Sequence, residues 1–275
     1  SARVKMVFSN LLFLYAFLPL CMLFYILPKS ITAKNITLLV FSLIFYTWGE
    51  PVYVLLLLLM TFFDWFFGIL IEKAQTKTIK RLFLFFACLV NIGLIGYFKY
   101  TGFILTNVQS VFGIPQVIPQ IALPIGISFY TFQLLSYVVD VYRNEVKAQK
   151  NFFWLLLYSS LFYQCIAGPI VRYSDVQREI TERKASFNDV SEGITRFTVG
   201  LGKKALLANT CGSLSDNLLV ADSLIASSPD VALAELSSRS VAGIFFGVLF
   251  YMLQIYLDFS AYSDMAIGMG RMVGF

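Results

Sequence analysis

The chain has 275 residues, of which 58% are hydrophobic, 17% aromatic and only 13% charged. So little charge excludes an ordinary water-soluble domain, in which about 25% of the residues are charged. The net charge of +5 comes from short basic loops beside apolar runs, which membrane topology explains, so we expect lipid contact and no nucleic-acid partner.

The apolar runs of the N-terminal third predict a series of membrane-spanning helices. Val7–Leu27 and Val52–Ile71 each have about the ~20 residues that cross the hydrocarbon core. Val7–Leu27 contains a proline and lacks a small-residue cleavage site, which predicts a retained helix rather than a cleaved signal peptide. Ile36–Trp48 is short for a span unless Thr32–Asn35 extends it, and Leu82–Phe98 is near the lower limit.

Basic loops orient these helices. Glu72–Arg81 carries four cations against one glutamate, and such short basic loops favour the cytoplasmic side. Thr101–Gln120 is broken by glycine and proline and predicts a connection at the membrane interface. Ile121–Tyr142 is then expected to return inward and to end in the basic segment Arg143–Lys150.

The remaining chain alternates between polar and apolar segments. Phe152–Ile170 is apolar but contains Ala167-Gly168-Pro169, so it either spans or re-enters the membrane. Residues 172–208 predict a charged interfacial segment, and the acidic residues 209–240 predict an outer-face loop. Val241–Leu257 predicts a final span, and residues 1–275 together predict a single transmembrane domain.

Polar residues inside predicted spans are candidates for function, because burying them in lipid is costly. Gln133, Tyr137, Asp140 and Asn144 follow a helical spacing that places all four on one face. This face would be either the polar wall of a water-accessible cavity or a set of interhelical hydrogen bonds, with Asp140 paired to Arg143.

Two further sites stand beside apolar runs. Asp64 is isolated within its span, and we expect a neighbouring helix to satisfy its carboxylate. Arg172 and Asp175 follow the backbone break at Ala167-Gly168-Pro169, where free N–H groups and an arginine would bind an anion or a thioester carbonyl. The alternative is an ordinary helix end with an interfacial salt bridge.

The C-terminal segment is the richest in polar groups. Asp258, Tyr262 and Asp264 lie beside an apolar helix among small residues, which predicts a cavity lining. The sequence contains no histidine, so it cannot form a Ser-His-Asp triad. Its four cysteines lack the paired spacing of zinc ligands, and we expect no metal site.

Several segments carry a family resemblance, in the order FYTWGEPVYVLLLL (45–58), LPIGISFYTFQLLSYVVDVYR (123–143), AGPIVRYSDV (167–176) and QIYLDFSAYSDMAIGMGRMVGF (254–275). They resemble the membrane-bound O-acyltransferase (MBOAT) superfamily, and most closely its bacterial alginate and peptidoglycan O-acetyltransferase branch. The resemblance implies an all-α, polytopic helical funnel in the bacterial cytoplasmic membrane. It also implies transfer of an acetyl group from a cytoplasmic thioester donor to an extracytoplasmic polysaccharide. The donor would be acetyl-CoA or another acyl thioester. An extracytoplasmic relay protein or polysaccharide-modifying partner is also implied.

The resemblance also implies where the catalytic base lies. In this family a downstream segment of the type EFWRRWHISL supplies a histidine, which we expect beyond Phe275, so we expect the 275 residues alone to be inactive. From their position and polarity, we expect Arg172 and the face of Gln133, Tyr137 and Asp140 to help position the donor or its leaving group, and Asp258, Tyr262 and Asp264 to line the tunnel. Asp175 is a further candidate for tunnel lining or substrate positioning. The alternative is a non-enzymatic translocator or assembly subunit for cell-surface glycans.

Overall fold

A computed structural model describes residues 8–113, 121–165, 171–220 and 227–275. Every regular element in these ranges is a helix, and four of these helices are long and apolar enough to cross a membrane. This confirms the prediction of an all-α, polytopic membrane protein. The chain divides into two compact units, the first ending at Lys184 and including Val273–Phe275, and the second formed by Ala185–Met272.

The first unit contains seven helices in its described residues: α1 Phe13–Ile26, α2 Ile31–Gly49, α3 Val54–Lys73, α4 Lys77–Phe112, α5 Ile127–Arg143, α6 Phe152–Ser160 and α7 Tyr173–Glu182. Local hydrogen bonds fix several of their starts. The Thr76 hydroxyl accepts from the Ile79 N–H at 3.4 Å, and the Asn151 side chain accepts from the Phe153 N–H at 2.9 Å. Such caps satisfy N–H groups that have no partner inside the helix.

Helix α4 is longer than the sequence predicts. Thr101–Phe112 continues the preceding helix through a π-helical turn at Gly96–Tyr100, so this part of the predicted connection is helical and unbroken. The helix ends where Gly113 adopts the left-handed conformation at φ 63°, which glycine tolerates best. Residues 114–120 of the predicted connection lie outside the described residues. By contrast, α2 begins at Ile31, so Thr32–Asn35 extends that span as expected.

Three predicted spans are shorter than expected. Helix α1 covers Phe13–Ile26 of the predicted span Val7–Leu27, of which residue 7 lies outside the described residues. Helix α5 starts only at Ile127, because Pro124 and the left-handed Gly126 at φ 74° precede it. Helix α6 has nine residues, too few to cross the ~30 Å hydrocarbon core. The Ala167-Gly168-Pro169 break lies outside the described residues.

Aromatic side chains fill one part of the first unit's interior. Phe162 packs edge-on against Phe17 with ring centroids 5.4 Å apart, and it lies 5.9 Å from the Phe45 ring. Phe13 stacks on Phe17 at 5.4 Å. Such pairs add to the burial of apolar area, which makes this cluster an anchor between α1, α2 and the turn after α6.

The second unit is a long helical hairpin. Its first arm consists of α8 Phe187–Gly202, a π-helical segment Lys203–Ala208 and α9 Asn209–Leu218, which follow one another without a break. A short helix, α10 Pro229–Ser238, precedes the second arm, α11 Val241–Met272. Residues 209–218 and 229–238 of the predicted outer-face loop form helices α9 and α10, and residues 221–226 of it lie outside the described residues. Helix α9 contacts α11, because the Ser215 hydroxyl donates to the Gly247 carbonyl at 3.2 Å.

Glycines bring the two arms of this hairpin into backbone contact. A Cβ atom on Gly193 would lie 2.7 Å from the Gly268 carbonyl oxygen, and a Cβ atom on Gly268 would lie 2.7 Å from the Gly193 carbonyl oxygen. Gly200 likewise faces the Ala261 carbonyl oxygen at 2.8 Å. Small residues at these positions allow the close helix approach that is common in membrane proteins.

Candidate functional site

The polar face of α5 is buried. Gln133, Tyr137 and Asp140 are 1%, 0% and 2% exposed, respectively. Asn144, the fourth residue of the predicted face, instead ends the helix in the left-handed conformation, is exposed and accepts from Lys80 Nζ at 3.3 Å. The structure therefore keeps three of the four predicted residues on one interior face.

Tyr137 is fixed from several sides. Its hydroxyl accepts from the Gln149 N–H at 2.9 Å, and its ring meets the Tyr173 ring edge-on with centroids 5.0 Å apart. Gln149 Nε2 in turn donates to the Tyr173 hydroxyl at 2.8 Å. A Cβ atom on Gly68 would lie 2.8 Å from the Tyr137 hydroxyl oxygen, so α3 can approach the ring only because residue 68 is glycine.

Gln133 and Asp140 keep hydrogen-bonding capacity that the described part of the chain does not use. Both amide atoms of Gln133 and one carboxylate oxygen of Asp140 are buried without a partner there. Buried polar atoms are rarely left unpaired, because each costs about 1–3 kcal/mol. Arg143 pairs with Glu145 at 3.1 Å, and the ion pairs of the described residues do not include one between Asp140 and Arg143. These observations favour a polar interior over a set of completed interhelical bonds.

Arg172 and Asp175 lie at the start of α7. Arg172 is the N-cap residue, with extended backbone at ψ 151°. Asp175 lies in the first turn, where the helix dipole stabilises a negative charge. Both side chains are exposed, and the predicted salt bridge between them is absent from the described ion pairs; the Asp175 carboxylate accepts from the Ser174 hydroxyl at 3.3 Å.

The first-unit candidates lie within electrostatic range of one another. The charge of Arg172 acts on the Asp140 carboxylate, and Asp140 and Asp175 both act on the Tyr158 hydroxyl. Burial raises the pKa of the Tyr173 phenol to about 12, so this hydroxyl stays neutral at physiological pH. The cluster thus combines an arginine, two carboxylates and neutral tyrosines.

The isolated Asp64 has the partner that the sequence predicts. Asn91 Nδ2 on α4 donates to Asp64 Oδ1 at 2.8 Å, and both side chains are 1% exposed. Asp64 Oδ1 therefore joins α3 to α4, and Asp64 Oδ2 is buried without a hydrogen-bond partner among the described residues.

The second-unit candidates make ion pairs between the hairpin arms. Lys204 Nζ lies 2.7 Å from Asp258 Oδ2, and Lys203 Nζ lies 2.6 Å from Asp264 Oδ2. Arg196 adds a second contact to Asp264 at 3.1 Å. Tyr262 is half-buried on α11 between them. The two carboxylates hold the arms together in the described structure, and a cavity-lining role for these three residues stays a prediction.

Sequence reasoning missed Arg183. This side chain is 8% exposed and donates from Nε to the Tyr25 hydroxyl and to the Val273 carbonyl, both at 3.1 Å. Nη1 donates to Asn35, and the guanidinium carbon lies 4.5 Å from the centroid of the Phe275 ring. The sequence shows only one arginine among several charged neighbours, and nothing in that pattern separates it from exposed Arg178.

Known proteins provide an independent comparison. No protein-family model matches the chain. The chain is 35% identical over 275 residues to the probable alginate O-acetylase AlgI of Pseudomonas aeruginosa, which covers 98% of the chain and 50% of that protein. It is 35% identical to the probable alginate O-acetylase AlgI of Azotobacter vinelandii (98% and 52%). It is also 30% identical to the peptidoglycan O-acetyltransferase of Helicobacter pylori (96% and 54%). The chain thus spans about half the length of these curated relatives.

Proposed function

We propose that this chain acts in a membrane O-acetyltransferase of the membrane-bound O-acyltransferase superfamily. Nearly its whole length is homologous to proteins named as alginate and peptidoglycan O-acetylases. The observation that carries this proposal is the similarity to proteins named for two different polymers across 98% and 96% of the chain. What both kinds of relative share is the acetyl transfer named in each, so the chain's resemblance supports this chemistry more strongly than any one acceptor.

The proposed reaction moves an acetyl group across the bacterial cytoplasmic membrane. The donor is a cytoplasmic thioester, acetyl-CoA or another acyl donor, and the acceptor is a hydroxyl of an extracytoplasmic polysaccharide, reached directly or through a relay partner. The hydroxyl oxygen attacks the thioester carbonyl carbon, the carbon–sulfur bond breaks, and a base moves the hydroxyl proton to the leaving thiolate.

Within this reaction, the buried polar face of α5 is proposed to meet the donor. Gln133 offers a donor and an acceptor, and Asp140 offers a carboxylate oxygen, all unpartnered among the described residues. The exposed Arg172 would attract the negative charge of the donor or of its leaving group. Asp258, Tyr262 and Asp264 are proposed to line the acyl-transfer tunnel.

The base is proposed to come from outside these residues. The 275-residue chain has no histidine, and histidine is the side chain whose pKa best suits proton transfer near neutral pH. The phenol of Tyr173, with a pKa of about 12, stays protonated and cannot replace it. The chain alone is therefore proposed to be inactive.

Labelled acetyl transfer in membranes tests the site assignment. Membranes with the whole active protein and a radiolabelled acetyl thioester should form hydroxylamine-labile acetyl esters on polysaccharide. Asp140→Asn should lower the rate about tenfold to a hundredfold, because it alters the group that positions the donor. Asp230→Asn, which changes an exposed carboxylate on α10, serves as the matched control and should retain the rate. Equal rates for both variants, with equal melting temperatures, would remove Asp140 from the site.

A further inference from the structure

Two segments of the first unit, each made of a loop and the helix ends beside it, form one basic surface, defined as Lys73, Lys77, Lys80, Arg81, Arg143, Lys147 and Lys150. Residues 72–81 and 143–150 contain these seven cations and only two acidic residues, Glu72 and Glu145. The excess of five positive charges equals the net charge of the whole chain, so the rest of the chain is neutral on balance. A concentration of this kind indicates an anionic partner.

The structure ties the two loops together. The Ala148 N–H donates to Glu72 Oε1 at 3.3 Å, and Lys80 Nζ donates to Asn144 Oδ1 at 3.3 Å. Residues after Arg143 alternate between the interior and the surface: Val146 and Ala148 are 8% and 5% exposed, whereas Lys147 and Lys150 are exposed. The cations therefore project from a fixed backbone and not from a free tail.

Most of these cations have no acidic partner. Arg143 pairs with Glu145 at 3.1 Å. No carboxylate of the described residues lies within 4.0 Å of the charged groups of Lys73, Lys77, Arg81, Lys147 or Lys150. Among the described residues, their charge is therefore not neutralised by a carboxylate.

The position of the surface selects the partner. Residues 74–76 join α3 to α4, two helices long and apolar enough to span a membrane, so the flanking cations lie at the level of the lipid headgroups. Five of the seven cations are lysines, which act as flexible point charges and need no fixed bidentate geometry. This arrangement suits several mobile phosphates better than a single oriented one.

We propose that this basic surface binds the headgroups of anionic phospholipids in the adjoining leaflet. Each lysine or arginine near an anionic membrane contributes about a fivefold increase in affinity at low salt, and the effect is screened over the ~8–10 Å Debye length at physiological ionic strength. The surface would retain phosphatidylglycerol beside the ends of α3, α4 and α5. This proposal does not depend on the acetyl-transfer chemistry.

Native mass spectrometry of the purified chain in neutral detergent tests the proposal. Titration with phosphatidylglycerol should give saturable adducts, whereas phosphatidylcholine should not. Lys147→Gln/Lys150→Gln should weaken phosphatidylglycerol binding on the order of twentyfold. Lys99→Gln/Lys184→Gln removes two exposed cations outside the surface and should leave binding within about twofold. Circular dichroism and melting temperature establish that both double variants are folded.

Three results would overturn the proposal. Equal loss of phosphatidylglycerol binding in both folded double variants would show a response to net charge alone. Competition by equimolar inorganic phosphate would indicate a small-anion site. Tight binding of an acidic acyl carrier protein to a chain that does not distinguish phosphatidylglycerol from phosphatidylcholine would assign the surface to a protein partner.

Discussion

Arg183 shows how much one side chain contributes to the first unit. Its guanidinium donates to the Tyr25 hydroxyl, to Asn35 and to the Val273 carbonyl, and it stacks on Phe275. Removing it would take a donor from the Tyr25 hydroxyl and from the Asn35 side-chain oxygen, whereas the Val273 carbonyl would still accept from the Tyr25 hydroxyl at 2.6 Å, and it would remove the cation–π contact. The described hydrogen-bond partners of Arg183 are neutral oxygens, and Nη2 has no hydrogen-bond partner among the described residues.

We therefore expect Arg183→Met to lower the free energy of unfolding by about 1–3 kcal/mol, the cost of leaving a buried acceptor without its donor. Arg178→Met is the matched control, because the Arg178 side chain is 85% exposed and its pair with Glu182 lies on the surface. The control should change stability by less than about 1 kcal/mol. Thermal and denaturant unfolding in detergent measure both variants, and equal stabilities would show that the buried contacts of Arg183 contribute little.

Asp189 is expected to make the start of α8 sensitive to acid. Hydrogen bonds from the Ser186 hydroxyl and N–H, and then the charge of Arg271, hold the pKa of this carboxyl below its usual range. A lowered folded-state pKa means that the stabilisation is present above the unfolded value of about 3.9 and is lost as the pH falls through the folded value.

The lowered pKa of Asp189 predicts how the stability of the chain depends on pH. The melting temperature of the wild-type chain should fall between about pH 5 and pH 2 more steeply than that of Asp189→Asn. Ser186→Ala removes the other half of the same capping box and should flatten the profile in the same direction. Identical pH slopes in all three proteins would contradict the role assigned to the cap.

Residue types and their spacing predict part of the candidate site. The helical period places Gln133, Tyr137 and Asp140 on one face because α5 is regular up to Arg143, and Asn144 leaves that face because it ends the helix. Residue spacing cannot show which distant cation pairs with a carboxylate, so the ion-pair partners of Asp258 and Asp264 could not be predicted from the sequence. The burial of Arg183 was hidden for the same reason, since its partners are 90 to 158 residues away.

At the scale of elements, the length of the apolar runs predicts where helices lie but predicts their ends poorly. The apolar runs locate α2, α3, α4 and α11, all of which are long enough to span a membrane. The end of α4 was misplaced because a glycine at position 102 suggests a break, yet that position has open space around it and the helix continues to Phe112. Helix ends depend on local geometry such as the left-handed Gly113, which composition does not fix.

The hairpin of the second unit offers a matched pair of glycine substitutions. A Cβ atom on Gly200 would lie 2.8 Å from the Ala261 carbonyl oxygen and 2.9 Å from the Met265 N atom, whereas a Cβ atom on Gly202 would meet nothing within 4 Å. Gly200→Ala should therefore destabilise the hairpin by about 1–3 kcal/mol. Gly202→Ala should stabilise it by about 0.5–1 kcal/mol through helix propensity.

Unfolding of the two variants in detergent measures this difference. The two variants are a controlled comparison, because both positions lie at the end of α8 and both changes add one methyl group. Equal effects of the same sign would contradict the close backbone contact between the arms.

At the scale of the whole molecule, the chain is an all-α membrane protein for which we propose acetyl transfer. The all-α architecture, the buried polar face of α5 and the similarity to two kinds of O-acetylase support the same function class. A non-enzymatic translocator also needs polar groups at membrane depth, but acetyl transfer from a thioester would not be expected of it. The chemistry itself therefore separates the two possibilities.

The most direct test measures hydroxylamine-labile acetate transferred from a labelled acetyl thioester to envelope polysaccharide. Membranes carrying the 275-residue chain alone are compared with membranes carrying the chain joined to the unmatched half of the Pseudomonas aeruginosa relative. We expect donor-dependent transfer by the joined protein and none by the chain alone, because the base is proposed to lie outside these residues. Full transfer by the chain alone, or no transfer by a joined protein that melts cooperatively, would contradict it.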